Sequence, residues 1–135
     1  MIEDNPGDVR LAQEAMLEAR VPNKLSIVRD GHEALAYLKK EGDFADVCRP
    51  HLILLDLNLP KKDGREVLRE IKQVDELRCI PVVILTSSKA EKDILQTYNL
   101  GANCYITKPV DFENFLYVMR SIENFWLTVV TLPLE

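Results

Sequence analysis

The chain has 135 residues, which is the length of one domain with a real hydrophobic core, so a single domain over residues 1–135 is expected. Asp and Glu number 22 against 17 Lys and Arg, a formal charge of −5, and no basic block interrupts the chain; this makes direct binding of nucleic acid or of an anionic membrane a poor candidate. Apolar residues make up 47% and no apolar run approaches the ~18–20 residues of a membrane span, so a soluble, cytoplasmic globular protein is expected. In chain order, Met1-Ile2 is the shortest possible strand and Asn5-Pro6 opens a helix, with Val9, Ala12, Ala15, Met16 and Ala19 at helical spacing. Lys24 to Val28 reads as a strand. Asp30-x-x-Glu33 starts a second helix carrying Ala34, Leu35 and Leu38, which Gly42 stops, and a polar loop follows over 43–50. Leu52 to Leu55 is a continuous apolar run ending in Asp56, and Asp63-x-x-Glu66 starts a third helix with Val67, Leu68 and Ile71. Val82 to Leu85 is a second such run ending in Thr86. Ser88-x-x-Glu91 starts a fourth helix with Ile94, Leu95 and Tyr98, stopped near Gly101. Cys104 to Ile106 is a short strand, and Asp111 caps a last helix that runs to about Trp126.

Continuous apolar strands are buried on both faces, and strands that alternate with helices imply right-handed βαβ units. The expected architecture is a doubly wound, flavodoxin-like α/β sandwich on a parallel sheet, whose site lies at the carboxyl ends of the strands. Glu3 and Asp4, Asp56, Thr86 and Lys108 fall at that edge. Any one of them alone reads as a cap or turn former. Chemically complementary groups at successive strand ends read as a site.

The charges there can be balanced. Glu3, Asp4 and Asp56 bring three negative charges and Lys108 returns one, and the remainder matches one divalent cation. Carboxylates, a backbone carbonyl and waters make an all-oxygen site suited to Mg²⁺, with Mn²⁺ as a substitute. A carboxylate beside such a cation and an ammonium is a plausible nucleophile toward phosphorus. The three cysteines, Cys48, Cys79 and Cys104, are far apart and odd in number, so free thiols are expected rather than a disulfide framework or a zinc site. His32 and His51 read as surface or rim residues.

Glu3-Asp4-Asn5, Leu54-Leu55-Asp56, Pro60-x-x-Asp63-Gly64, Leu85-Thr86-Ser87 and Tyr105-Ile106-Thr107-Lys108-Pro109 closely resemble the receiver domain of two-component response regulators, in order and over nearly the whole chain. The resemblance implies a five-stranded parallel sheet of order 2-1-3-4-5 with five helices. It implies that Asp56 accepts a phosphoryl group from a sensor histidine kinase. Asp4 would ligate Mg²⁺ directly, Glu3 partly through water, and Asn58 through its backbone carbonyl. Thr86 would move to bond the phosphoryl group, Tyr105 would rotate inward behind it, and Lys108 would contact a phosphoryl oxygen. The Lys108–Pro109 bond would be cis, and Asn58 and Ser88 would flank the attacking water and tune dephosphorylation. The Glu-Asp-Asn-Pro-Gly-Asp-Val-Arg-Leu opening, the long 41–50 loop, Thr86-Ser87-Ser88 and the Phe125-Trp126-Leu127 tail are similar to stand-alone regulators paired with bacterial phytochromes, especially cyanobacterial ones. The implied partner is then a red-light-sensing kinase.

Measured against that family, the first strand is truncated to two residues. A sequence that begins inside a longer first strand is the favoured explanation; the competing one is a second chain that fills the slot. Residues 127–135 form a C-terminal extension, in which Leu134-Glu135 could be foreign. The last helix is apolar over an arc of roughly 200°, from Ile122, Phe115, Trp126, Met119, Phe112, Leu116 and Leu127, widened by Phe125 and Val118. Either the tail folds back over the excess or another chain covers it. The expectation is a homodimer through the fourth helix, fifth strand and fifth helix, with Tyr98, Phe115, Val118, Phe125 and Trp126 on the dimer surface.

Two other functions stay in view. A haloacid-dehalogenase-like phosphatase also uses a strand-end Asp with a Thr or Ser and a Lys. It needs Asp-x-Asp, however, and the second position here is Asn58, which has no carboxyl proton to donate. A phosphorylation-independent interaction module would keep the fold without the intact acid pair, Asp56, Thr86 and Lys108. The expected protein is not an enzyme in the turnover sense. It is a phosphoacceptor that signals through protein contacts.

Overall fold

A computed structural model describes residues 1–18 and 22–133. Ala19, placed in the first helix by its spacing, and the Leu134-Glu135 end lie outside the described residues. Three strands form a parallel ladder in the order β1 (Ile53–Leu55), β2 (Val82–Thr86), β3 (Cys104–Thr107). Ile53 registers with Val82 and Val83 with Cys104. On the free side of β1, Ile2 makes parallel bridges to both Leu55 and Val28. Its N–H donates to Leu54 O at 2.8 Å and its carbonyl accepts from Asp56 N at 3.1 Å, while Glu3 N donates to Val28 O at 3.0 Å. The spatial order of the segments is therefore the expected 2-1-3-4-5, but the first two members are single bridges rather than strands. Backbone contact runs beyond these bridges: the Met1 amine donates to Ser26 O at 2.8 Å and Val28 N donates to Met1 O at 3.0 Å, while Leu25, Ser26 and Ile27 are half-buried.

Side chains along each strand alternate between two cores, as the pleat requires. Leu54, Val83 and Leu85 point to one side, where they meet Ala12 and Ala15 of α1 (Pro6–Leu17) and Phe115, Met119 and Ile122 of α5 (Phe112–Asn124). Ile53, Leu55, Val82 and Ile84 point to the other. There they meet Ala34, Leu35 and Leu38 of α2 (Gly31–Lys39) and Val67, Leu68 and Ile71 of α3 (Gly64–Gln73). This is the three-layer sandwich read from the apolar pattern.

The helix boundaries follow their caps, with three departures. Asn5, Asp30, Asp63 and Asp111 each accept a backbone N–H of the first turn, as capping residues do. The second helix ends before Gly42, because Lys40 takes the left-handed conformation (φ 59°) and caps it. The fourth helix, α4 (Glu91–Asn99), has Ala90 at its N-cap and no side-chain cap; the Ser88 hydroxyl expected there donates instead to Asp93 Oδ2 at 2.6 Å. The last helix stops at Asn124 and gives way to a π-helical turn, Phe125–Val129, that carries Trp126. Helix α4 also inverts its expected faces. Asp93 and Thr97 are its buried residues, while Leu95 and Tyr98 are exposed.

One contact sets the height of the site. Gly64 N–H donates to Leu57 O at 2.8 Å, and a Cβ on Gly64 would lie 2.3 Å from Asp56 O and 2.6 Å from Leu57 Cα. Backbone cannot retreat from such a clash without moving Asp56 itself. Gly64→Ala is therefore expected to destabilise the fold by about 2–3 kcal/mol, read as a fall in the urea midpoint. An unchanged midpoint would show that the α3 start does not press on the Asp56 backbone.

Candidate functional site

Four segments bring functional groups to one edge of the sheet. Glu3 and Asp4 follow the Ile2 bridge, Asp56 follows β1, Thr86 ends β2, and Lys108 follows β3. Lys108 is tied there by its backbone N–H, which donates to Thr86 O at 2.7 Å. Asp4, Asp56 and Lys108 line an open cleft of about 530 Å³, together with Asn5, Asp8, Asn58 and Ser87. Ligand oxygens of Glu3, Asp4 and Asp56 all lie within 4.8 Å of one another. Glu3 and Asp56 are buried and Asp4 is exposed, so the cluster opens to solvent on one side. Asn58 sits at the rim, and its backbone N–H donates to Asp56 Oδ1 at 3.4 Å.

The Lys108 ammonium faces three carboxylates. It pairs with Glu3 Oε1, with Asp8 Oδ2 at 2.9 Å and with Asp56 Oδ2 at 3.1 Å. Burial alone would lower its pKa, but Asp8, Glu3 and Asp56 more than reverse that, so it stays charged. Burial pushes the Glu3 carboxyl up to about 7, the Asp56 charge adds to the push, and Lys108 opposes it. Burial acts the same way on Asp56, yet the adjacent Thr86 hydroxyl, Glu3 and Lys108 outweigh it and hold this carboxyl below its ordinary value. The two shifts run in opposite directions, so Glu3 is the carboxyl that protonates more readily and Asp56 the one that stays ionised more readily. The Thr86 hydroxyl lies close enough to act on the Asp56 carboxylate, but its buried oxygen closes no hydrogen bond of full geometry with any described residue. A buried hydroxyl held unpaired calls for a partner that arrives with the ligand.

All-oxygen carboxylate donors with room for waters suit a hard divalent cation, and nitrogen or sulfur ligands are absent from the cluster. The arrangement can hold such a cation beside a nucleophilic carboxylate and an ammonium.

The remaining sequence expectations are placed as follows. Ser88 does not line the cleft; Ser87 does, and Ser88 is turned away toward Asp93. The Tyr105 hydroxyl donates to Ser88 O at 2.9 Å, one layer behind Thr86. The Lys108–Pro109 bond is trans, and no described residue has a cis peptide bond. Trans is the ordinary preference of X–Pro bonds, and with it the Lys108 side chain already reaches its three partners, so nothing in this geometry demands the other isomer. Of the five residues assigned to a dimer surface, Tyr98 and Phe125 are exposed and Val118 and Trp126 half-buried, but Phe115 is in the core against Leu54 and Leu85. A 3.6-residue period shows that an arc is apolar, not which part of it meets the sheet.

Three residues of the site's surroundings escaped the sequence reading. Asp8 looks like an ordinary first-turn acid, and its three-residue spacing from the Asn5 cap is the one hint that it faces the same way. Asp93 and the half-buried Arg65 form an ion pair at 2.8 Å, and Asp93 also holds Ser88. No local signal separates those two from solvated helix charges.

The comparisons with known proteins agree with this geometry. Residues 1–120 match the family model for the response regulator receiver domain. The chain is 49% identical to the response regulator Rcp1 of Synechocystis sp. over 133 residues, covering 98% of this chain and 90% of that one. Among solved structures it is similar to the phosphorylated cyanobacterial phytochrome response regulator RcpA, with 53% identity, a TM-score of 0.96, and coverage of 98% and 95% of the two chains. It is also similar to the Mn²⁺-bound form of Rcp1, with 49% identity, a TM-score of 0.96, and coverage of 98% and 96%. The chain belongs to the response regulator receiver family.

The raised Glu3 pKa fixes the sign of a pH effect. A carboxyl raised from 4.5 to about 7 binds its proton more tightly folded than unfolded, so metal-free stability is full below about pH 4.5 and declines as pH rises through 7. In EDTA the thermal midpoint is expected to fall between pH 5 and 8 by the equivalent of about 2–3 kcal/mol, and Glu3→Gln is expected to flatten that fall. A wild-type midpoint that rises over the same range would contradict the assignment of the proton to Glu3.

Proposed function

We propose that this receiver domain is a phosphorylation switch in which Asp56 takes the phosphoryl group of a phosphohistidine on a sensor kinase. The observation that carries the reading is the strand-end cluster itself, Asp56 beside Glu3 and Asp4 on one side and Lys108 on the other. An Asp56 carboxylate oxygen forms the new P–O bond while the P–N bond to the donor imidazole breaks, and the imidazole leaves with the bonding electrons. Glu3, Asp4, Asp56 and the Asn58 backbone carbonyl would hold Mg²⁺, or Mn²⁺ in its place. The bound cation supplies neutralising charge for the phosphoryl oxygens. Lys108 offers an N–H to one of those oxygens, and the unpaired Thr86 hydroxyl has a donor free for another. Once Thr86 moves, the vacated space behind it is open to Tyr105, whose hydroxyl already reaches the same 87–90 segment at Ser88. Asn58, at the rim, is placed to affect the water that later attacks the acyl phosphate.

The likeness to RcpA and Rcp1, and to bacteriophytochrome response regulators such as AtBRR at 43% identity and a TM-score of 0.72, supports a phytochrome-type kinase as the donor. No helix among the described residues is long and apolar enough to cross a membrane, which is compatible with a cytoplasmic partner. Output is expected to pass through protein contacts, including a homodimer built on α4, β3 and α5. That face keeps the outer edge of β3 unpaired and leaves Leu95, Tyr98, Tyr117 and Phe125 exposed.

Incubation with acetyl phosphate and Mg²⁺ is expected to give an acid-stable, base-labile adduct that is lost in Asp56→Asn. Multiple turnover of small phosphate esters would instead support a phosphatase, and absence of any adduct a phosphorylation-independent module. Light scattering at tens of micromolar is expected to show a dimer that Phe125→Asp shifts toward monomer; a wild-type monomer with and without phosphorylation would rule out the dimer face.

A further inference from the structure

An ammonium has three N–H donors. In Lys108 each has a carboxylate partner, and the three partners differ in what else claims them. Glu3 and Asp56 belong to the cluster whose oxygens converge within 4.8 Å, so a cation seated there draws on the lone pairs that now face Lys108. Asp56 changes further when it carries a phosphoryl group, because one oxygen becomes an ester oxygen. Asp8 is outside the cluster. It stands on the first turn of α1, where its backbone N–H is held by the Asn5 side chain at 3.1 Å, and its carboxylate meets Lys108 at 2.9 Å from the lip of the cleft. Its place is thus set by the helix and not by the cation site.

This asymmetry matters because Lys108 is a long flexible chain carrying a point charge. To reach a phosphoryl oxygen it must release Glu3 or Asp56. An ammonium released from both, with no other anchor, would be free to swing into solvent beside the exposed Val110 and Asn5. We infer that Asp8 is a positioning residue for Lys108: it tethers the ammonium at the cleft while the cation and the phosphoryl group claim Glu3 and Asp56, and it aims the freed N–H donors at the phosphoryl oxygens. The inference deepens the phosphoacceptor reading and rests on it. The tether is reached through Lys108 alone, so Asp8 touches no reacting atom.

The test compares wild type with Asp8→Ala, the near-isosteric Asp8→Asn, Lys108→Ala and the double variant Asp8→Ala/Lys108→Ala. Three quantities are measured: the rate of Asp56 phosphorylation by acetyl phosphate with Mg²⁺, the calorimetric affinity for Mg²⁺ alone, and the affinity for beryllofluoride with Mg²⁺. Asp8→Ala is expected to slow phosphorylation and to weaken beryllofluoride binding by about tenfold, the loss of one charge-assisted hydrogen bond. Asp8→Asn, which keeps an acceptor, should fall between it and wild type. Mg²⁺ affinity should change by less than about twofold, and Asp8→Ala should cost less than about twofold in the Lys108→Ala background. An Asp8→Ala protein as fast as wild type overturns the inference. So does an equal loss in both backgrounds, which would mark a merely structural role, or a loss of Mg²⁺ affinity that matches the loss of rate. A wild type that takes no phosphoryl group and no beryllofluoride refutes the phosphoacceptor reading and the tether with it. That result is distinct from a wild type that is modified no faster than Asp8→Ala.

Discussion

The Lys108 ammonium is the point on which the site depends. It joins the end of β3 to the start of the chain, 105 residues away at Glu3, and to the end of β1 at Asp56. Two buried carboxylates face each other there, and the ammonium draws both toward the ionised form. Burial still pushes Glu3 up to about 7, while Asp56 is held below its ordinary value. The same contact closes the carboxyl edge of the sheet, so the electrostatic balance and the assembly of the strands are one arrangement.

Much of that edge was legible because it follows from a simple constraint. Strands buried on both faces must be apolar throughout, so the first polar residue after Leu52–Leu55 or Val82–Leu85 marks the strand end, and parallel topology gathers those ends. Asp56 and Thr86 were found in this way, Lys108 by its place between the last strand and Pro109, and Glu3 and Asp4 by their place after Ile2. What escaped is what depends on contacts distant in sequence. Asp8 carries no mark of its partner across 100 residues, and the Arg65–Asp93 pair joins α3 to α4 over 28. Ser88 was read as the helix cap, but the N-cap is Ala90; the Ser88 hydroxyl donates to Asp93 at 2.6 Å and accepts only from Ala90 N–H at 3.4 Å, before the helix begins. Phe115 was placed on the surface because an over-wide apolar arc does not say which of its edges the sheet takes. Lys24–Val28, read as a strand, pairs only through the Val28 bridge to Ile2.

Behind the cleft lies a second layer of polar contacts. Thr86 ends β2 with its hydroxyl unpaired, and the next residues are held from outside, with Ser88 O by Tyr105 and the Ser88 hydroxyl by Asp93, which Arg65 fixes to the α3 N-cap Asp63. The segment between β2 and α4 is therefore gripped by side chains of β3, α3 and α4 rather than by apolar packing. A change at Thr86 is transmitted through a few hydrogen bonds that either hold or break.

The inverted faces of α4 carry this further. Its buried residues are Asp93 and Thr97, and Thr97 spends its hydroxyl on the helix's own carbonyls at Asp93 and Ile94. Residues 91–99 place no apolar side chain in either buried cluster. Shifting α3 or α5 would tear Leu68, Ile71, Phe115 or Met119 from the core at several kcal/mol each, about 2–5 by analogy with truncating such side chains. Shifting α4 exposes no such surface and exchanges one set of polar partners for another, some of which water can replace. Helix α4 is thus moored to the frame by polar contacts at Asp93, whereas α3 and α5 are moored by buried apolar side chains.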